Sequence, residues 1–411
     1  MLSLLMQEFA SFINSPEIFY PSIIFALFVV PQIFVRFMIP PSLTVFAFGV
    51  LLGSLAAIGP DDPTIHIFST IGISSLFLFA GLEIDFNELK THRRFLLEHM
   101  FIRFMIILSF SLLMARLLNL GFVSASLLSL ALFTPSTGFI LSNLKHSPFL
   151  LQTKLWIRLQ AIAGEIVALV LMFVLMRSKS AYELSTSSLA LIVFLLFVPL
   201  VFRLFARFVI PKAPGSEFAF LVMFAVMAGL ITKKLGAYYL VGAFVVGVGA
   251  RSFGTLMPSI ASENIVNSLR NFSSFFMPFY FLHAGIDFSM ELISITSVMV
   301  GLILVVVVGI IRVSIVCLHR KISLGERLQH SLPISVSLLP NLVFGLVLAS
   351  FLEMDENFPS WLLGGLVVYT VVITAIAPLV LFVSRKFTMS ELVGDSSWLV
   401  LPKGSNQGQS S

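Results

Sequence analysis

The chain has 411 residues, of which 58% are hydrophobic and only 11% are charged, and its mean hydropathy is +1.04. Soluble domains carry about 25% charged residues, so this composition excludes a soluble globular protein and predicts one that crosses a membrane many times. The single cysteine, Cys317, excludes an internal disulfide framework and a multi-cysteine metal site. The formal net charge of +5 does not indicate a nucleic-acid partner, because the Lys and Arg residues lie in short loops.

Thirteen apolar segments predict an all-α polytopic membrane protein with about thirteen transmembrane helices. Many of them exceed the roughly 18–20 residues that a helix needs to span a bilayer. They lie near residues 18–36, 41–57, 64–84, 95–116, 122–144, 153–176, 187–206, 217–232, 236–250, 267–285, 293–317, 328–351 and 359–383. Residues 1–17 precede them without the basic region of a cleaved signal peptide. Residues 384–411 follow as a short tail, and the composition of residues 404–411 is typical of disorder.

The loop charges predict the orientation of the chain. Most Lys and Arg residues fall in alternate loops, and the other loops carry few basic residues and two acidic groups, at residues 61–62 and 353–356. Because basic loops remain in the cytoplasm, the N-terminus is predicted outside and the C-terminus inside. The protein is therefore expected in the plasma (inner) membrane.

Two similar phrases predict an internal repeat. Phe77–Leu89 reads FLFAGLEIDFNEL and ends the third segment, whereas Phe281–Leu292 reads FLHAGIDFSMEL and ends the tenth. The two segments run in opposite directions in the predicted topology, as an inverted-topology repeat requires. Repeat one would cover residues 18–176, a linker helix residues 187–206, and repeat two residues 217–383, all within one transporter domain at 18–383. The alternative is that such phrases are common helix-to-loop exits.

The fifth segment of each repeat carries a helix break in the middle. Pro135 is followed by Gly138 in the first repeat, and Pro340 is followed by Gly345 in the second. Proline removes a backbone donor, which leaves carbonyl groups free to face a cation, and a membrane helix tolerates this only beside a cavity or packed protein. Two crossing broken helices are therefore predicted; the alternative for each is a simple proline kink.

Glu165 is the main candidate for the ion- and proton-binding residue. It lies in the middle of the apolar run at residues 161–176, where a charged side chain costs roughly 2.5–3.5 kcal/mol on insertion scales. Arg312, in the eleventh segment, is the predicted counter-charge, because the two side chains lean toward each other along their helices. The alternative is a structural ion pair, which is weak support for stability. Oxygen atoms for a weakly hydrated cation would come from Thr134, Ser136, Thr137 and Asn341, each of which also fits an interhelical hydrogen bond.

Other polar residues are assigned less demanding roles. Glu98, His99, Arg103 and Arg158 lie near cytoplasmic segment ends and are expected to snorkel, and Glu83, Asp85 and Asp287 are expected to cap helices or pair in loops. His283 stands where the first phrase has Phe79, so pH sensing on the outer side is one interpretation of it. No HExxH or GxSxG sequence is present, so an enzyme is not predicted. No cofactor is expected, and no metal beyond a transported monovalent cation.

These residues resemble the monovalent cation:proton antiporter family, specifically its second branch of bacterial Na⁺/H⁺ and K⁺/H⁺ exchangers with the NhaA-like fold. The resemblance covers about residues 20–385, and its most specific parts lie at 39–53, 77–89, 134–137 and 281–292. It implies that Glu165 binds the ion or proton, that Arg312 pairs with it, and that the protein is a homodimer. The chain departs from the family in having Gly164-Glu165 where paired Asp-Asp or Asn-Asp is common. It also has Pro340-Asn-Leu-Val where Pro-Arg-Gly-Glu is common.

The predicted function is exchange of Na⁺ or K⁺ for protons. One carboxylate that binds either a proton or a cation is enough to couple the two fluxes, and because arginine does not deprotonate in proteins, electroneutral 1:1 exchange is expected. Two alternatives remain open: a cation channel of the same fold without proton coupling, and an organic-anion symporter in which Arg312 anchors the substrate.

Overall fold

A computed structural model describes residues 15–392 except for residues 56–58, 60, 145–148, 178–179, 236–238 and 255–261. All secondary structure in this part of the chain is helical. The helices of the first half are α1 Pro16–Val35, α2 Pro41–Ser54, α3 Pro63–Leu82, α4 Phe86–Thr91, α5 Arg93–Leu117, α6 Phe122–Phe133, α7 Thr137–Leu144, α8 Leu151–Arg177 and α9 Ala181–Leu204. Those of the second half are α10 Glu217–Lys234, α11 Tyr239–Phe253, α12 Glu263–Ile286, α13 Ile295–Leu324, α14 Leu328–Ser337, α15 Leu342–Glu353 and α16 Ser360–Leu392.

Every predicted apolar segment coincides with a helix or a pair of helices, and the all-α fold class is confirmed. By length and hydropathy, eight of the described helical spans are able to cross a membrane, or nine with the bent pair α14–α15. The count of thirteen crossings stays a prediction, as does the inverted repeat. The last helix, α16, continues to Leu392 and so includes the start of the predicted tail at 384–411; the rest of that tail and most of the predicted segment 1–17 lie outside the described residues.

Five helices, α2, α3, α10, α11 and α12, pack together in what we call the scaffold bundle, with α1 against α2. Glycines allow the backbones of these helices to approach closely. A Cβ atom on Gly247 of α11 would lie 2.2 Å from the Leu78 carbonyl oxygen and 2.9 Å from the Gly81 Cα of α3. A Cβ atom on Gly285 of α12 would lie 2.3 Å from the Phe46 oxygen of α2. Backbone therefore packs directly on backbone through this bundle.

A second group, α5, α6, α8, α13, α14, α15 and α16, forms the crossing bundle, and α7 packs against α8 and α3. It contains both predicted breaks. The first separates α6 from α7 at residues 134–136, and the second separates α14 from α15 at residues 338–341 with a bend of 49°. Pro135 and Pro340 lie within these breaks, as their missing N–H groups require.

The two glycines predicted as part of the breaks have a different role, which corrects that prediction. Gly138 lies inside α7, where a Cβ atom would come within 2.6 Å of the Leu76 side chain of α3. Gly345 lies inside α15, where a Cβ atom would come within 2.4 Å of Thr370 Oγ1 in α16. Both positions allow close helix packing rather than interruption of a helix.

The phrase at Phe77–Leu89 ends α3 and begins α4, as its acidic residues predict. The Asp85 side chain accepts hydrogen bonds from the N–H groups of Asn87 and Glu88 at the start of α4, and it pairs with Arg251 of α11 at 3.1 Å. Partial burial acts to raise the pKa of Asp85, but the two backbone hydrogen bonds and Arg251 outweigh it and lower the pKa overall.

Candidate ion-binding site at the helix crossing

The two helix breaks are joined to each other by hydrogen bonds. Because Pro135 has no N–H, the carbonyl group of Ala131 loses its helical donor, and Asn341 Nδ2 of the other break donates to it at 2.7 Å. In return, the Ser136 N–H donates to the Pro340 oxygen at 2.9 Å. The first break thus lies directly against the second, and α6 packs on α15.

Ser136 caps the second half of the other broken helix. Its Oγ accepts hydrogen bonds from the N–H groups of Val343 at 2.9 Å and Phe344 at 3.4 Å, which lie in the first turn of α15. These N–H groups have no partner within their own helix. The hydroxyl that sequence reasoning assigned to the cation is therefore engaged in joining the two breaks.

The free carbonyl groups at the C-terminal ends of α6 and α14 are bound by two buried arginines. Arg103 of α5 donates to the Phe133 oxygen at 2.5 Å. Arg312 of α13 donates to the Leu132 oxygen at 3.2 Å and to the Leu338 oxygen at 2.6 Å. Cations are stabilised at the C-terminal end of a helix, where the carbonyl groups carry partial negative charge. The two arginines thus neutralise the ends of both half-helices.

Tyr369 of α16 completes this arrangement. Its hydroxyl accepts a hydrogen bond from Arg312 Nη1 at 3.0 Å and donates one to the Leu132 oxygen at 2.7 Å. The side chain is fully buried. Arg312 is therefore held by one hydroxyl and two carbonyl groups from three different helices.

The predicted ion pair between Glu165 and Arg312 is wrong for this conformation. Both residues are described, and no ion pair joins them. The reason is that the half-helix ends present carbonyl groups to the guanidinium, and these take up its Nη donors. Sequence spacing predicted the depth of both residues in the membrane, but it did not show that carbonyl groups compete with Glu165 for Arg312.

Glu165 lies beside the first break, and no basic side chain among the described residues pairs with it. Glu165 is only 1% exposed. It follows Gly164, where a Cβ atom would lie 3.1 Å from the ring carbons of Pro135. The absence of a side chain at position 164 therefore lets α8 pass close to the break. The carboxyl group lies next to Thr137, but Thr137 Oγ1 does not form a well-aligned hydrogen bond with it.

Of the buried oxygen atoms that have no hydrogen-bond partner among the described residues, four belong to Glu165 or to residues at or next to the two helix breaks. They are Glu165 Oε2, Thr134 Oγ1, Thr137 Oγ1 and Asn341 Oδ1. Buried polar atoms are nearly always hydrogen-bonded, because leaving one without a partner costs about 1–3 kcal/mol. Carboxylate, hydroxyl and amide oxygens are ligands suited to a hard cation. These groups have the chemistry to bind a proton, at Glu165, or a cation.

Sequence reasoning missed two functional candidates. Arg103 was expected to snorkel, but its residue is only 5% exposed and it binds the end of α6. Tyr369 was not singled out at all. The available signal for Arg103 was its position eleven residues into α5, within an apolar stretch; for Tyr369 no signal distinguished it from the other aromatic residues.

His283 lies at the opposite end of the scaffold bundle from α4. Its Nδ1 is 2.8 Å from Asp287 Oδ2, and its ring centroid is 5.4 Å from that of His66. Both histidines line a cavity of about 220 Å³ between the two bundles, together with Glu353 of α15. Its interpretation as a pH sensor stays a prediction.

A family of membrane transporters matches most of this chain. The family model described as "Sodium/hydrogen exchanger, transmembrane" matches residues 23–384. The chain belongs to the sodium/hydrogen exchanger family. It is a multi-pass membrane transporter for cation:proton exchange, so the predicted cation:proton antiporter family is confirmed, and its second branch stays a prediction.

Relatives of this antiporter include the probable Na(+)/H(+) antiporter 3 of Methanocaldococcus jannaschii, which is 24% identical over 285 residues, 65% of this chain and 70% of the relative. The fold is similar to that of the sodium proton antiporter MjNhaP1 of the same organism at pH 8, with a TM-score of 0.64 and 16% identity over 90% of this chain and 97% of that one. An electron-microscopy structure of MjNhaP1 gives a TM-score of 0.60 and 16% identity, covering 95% and 99% of the two chains.

Proposed function

We propose that Glu165 is the residue through which this antiporter exchanges a monovalent cation for a proton. The observation that carries the proposal is the buried carboxyl group beside the first helix break, with an Oε2 atom that no described residue binds. An isolated buried charge is costly, and a bound proton or cation removes that cost. Because the two compete for one carboxyl group, entry of one requires release of the other.

Thr134, Thr137 and Asn341 are the proposed additional ligands of the cation. Each contributes a buried oxygen without a partner among the residues described. Ser136 is not included, since its Oγ already accepts two backbone hydrogen bonds. The carbonyl groups freed by the breaks are not included either, because Arg103, Arg312 and Asn341 bind them.

Arg312 is proposed as a positioning residue rather than as a counter-charge. It holds the ends of both half-helices in place while remaining protonated throughout the cycle. Among the residues that the structure describes, no second titrating group pairs with Glu165, and this supports electroneutral 1:1 exchange. The engagement of Arg312 by two carbonyl groups also disfavours an organic-anion symporter, in which it would have to bind substrate.

The test is proton flux in proteoliposomes that contain a pH-sensitive dye, with Na⁺, K⁺, Li⁺ or Rb⁺ added in turn. We expect cation-dependent dequenching from the native chain and its loss in Glu165→Gln. Glu217→Gln is a matched control, because Glu217 is also buried (7% exposed) but lies in α10 of the scaffold bundle. Retained cation-dependent flux in Glu165→Gln would remove Glu165 from the mechanism, and a current that reverses with membrane voltage would contradict 1:1 exchange.

A further inference from the structure

A cluster of charges joins the two bundles at the end where α8 begins. Arg158 of α8, in the crossing bundle, donates through Nη2 to Glu88 Oε1 of α4 at 2.6 Å. Its Nη1 also lies 3.7 Å from Oε2 of Glu83, which ends α3 of the scaffold bundle. The three side chains are only 20–32% exposed.

Further arginines fix Glu83 itself, and the segment between Glu83 and Glu88, to the scaffold bundle. Glu83 Oε1 pairs with Arg270 of α12 at 3.2 Å, and the neighbouring Asp85 pairs with Arg251 of α11 at 3.1 Å. Each of these pairs joins the α3–α4 segment to another scaffold helix. A movement of α8 away from α3 and α4 would therefore separate Arg158 from Glu83 and Glu88.

Arg158 lies on the same face of α8 as Glu165. The two residues are seven positions apart, which is two helical turns and about 10 Å along the axis. Ile162 lies between them on that face, since residues four apart are neighbours on a helix surface, and it is 1% exposed. A path from Glu165 toward the start of α8 consequently meets the Arg158 ion pairs.

A cavity lies at the other end of the boundary between the bundles. The cavity of about 220 Å³ is lined by His66 and Ser74 of α3 and by Val347 and Glu353 of α15. His66 and Glu83 are seventeen residues apart on α3, or about 25 Å. The bundles are thus separated at one end of α3 and joined by ion pairs at the other.

We propose that Arg158, with Glu83 and Glu88, forms a gate that closes the path from Glu165 to the side where α8 begins, the predicted cytoplasmic side. The inference rests on the proposed role of Glu165 and on relative movement of the two bundles. Separation of these ion pairs opens that side, and their formation closes it while the cavity at the other end admits the cation.

The test measures access to position 162 from the predicted cytoplasmic side. A chain with Ile162→Cys and Cys317→Ser in inverted vesicles is treated with a membrane-impermeant maleimide. Arg158→Gln is expected to increase the labelling rate about fivefold, the shift that corresponds to the about 1 kcal/mol contributed by a part-exposed ion pair. Arg94→Gln is the control, because it removes an ion pair with Glu98 at 3.1 Å that lies within α5 and does not join the two bundles, and no increase is expected from it.

A second measurement needs no introduced cysteine. Arg158→Glu alone should slow cation-dependent proton flux, and adding Glu88→Arg to it should restore the rate, because the exchanged charges can pair again. The gate would be overturned if position 162 were labelled at the same rate with Arg158→Gln as with the native Arg158. It would also be overturned if adding Glu88→Arg to Arg158→Glu did not restore the flux. The labelling experiment and the flux measurement are both repeated in chains that carry Glu165→Gln. If these chains still exchange ions and Arg158→Gln still increases labelling, the assignment of Glu165 is refuted but the gate is not.

Discussion

The backbone contact between α3 and α11 gives a prediction whose size follows from the structure. In Gly247→Ala the new Cβ atom would lie 2.2 Å from the Leu78 oxygen, whereas ordinary contact begins at about 3.4 Å. The obstructing atoms, the Leu78 oxygen and the Gly81 Cα, belong to the backbone of α3. No side chain is therefore able to rotate away, and the helices must separate by about 1 Å. Overpacking of this kind costs about 1–3 kcal/mol, and more where the backbone must move. The higher helix propensity of alanine offsets about 1 kcal/mol.

The measurement is thermal unfolding of the purified protein in detergent, followed by tryptophan fluorescence. Gly247→Ala is expected to lower the melting temperature by several degrees. Gly309→Ala is the matched control in the crossing bundle, because its Cβ atom would lie 3.4 Å from the Ile373 Cδ1 atom, an ordinary contact. It is expected to match or exceed the native melting temperature. Equal melting of the two variants would refute the argument that backbone contact determines the spacing of the scaffold helices.

Three further predictions concern the crossing and the charged loop. Tyr369→Phe removes the hydroxyl that joins Arg312 to the Leu132 oxygen, so a loss of about 1–3 kcal/mol in unfolding free energy is expected in denaturant titrations; unchanged stability would contradict this role. Asn341→Asp places a second carboxyl group at the crossing with Glu165, so the exchange rate should begin to respond to an imposed membrane potential; a voltage-independent rate would argue against one carboxyl group per cation. Asp85→Asn should lower the melting temperature at pH 7, and this difference should shrink as the pH falls below about 3.9. Folding lowers the pKa of Asp85, so its contribution is fully present above the unfolded value of about 3.9 and is lost as the pH falls through the folded value. A difference that is constant with pH would contradict this explanation.

The chemistry of single residues made the two helix breaks and the position of the buried carboxyl group predictable from the sequence. Pro135 and Pro340 cannot donate a hydrogen bond, so both helix breaks are visible in the sequence, and a carboxyl group within an apolar run marks Glu165 in the same way. The side-chain partners were not predictable by this reasoning. Arg312 has carbonyl groups from two other helices within reach, and only their position in space shows that these take up its Nη donors.

Depth along a helix was likewise insufficient for Arg103 and Arg158. Both lie toward segment ends and were expected to snorkel, yet Arg103 binds the end of α6 and Arg158 joins the two bundles. Whether such an arginine snorkels or binds other helices depends on whether its side of the helix faces lipid or protein. Hydrophobic periodicity does not show this in a membrane helix, because lipid-facing and protein-facing residues are equally apolar.

The arginines at the crossing also bear on how a single carboxyl group couples two fluxes. If the carbonyl groups at the ends of α6 and α14 were free, they would offer a cation a second set of ligands independent of Glu165. Arg103, Arg312 and Tyr369 bind those groups instead. A dehydrated cation then has to rely on Glu165 and a few side-chain oxygens, so protonation of Glu165 removes the one charged ligand and releases the cation. Under the proposed mechanism, the positive charges at the crossing therefore favour strict competition between cation and proton.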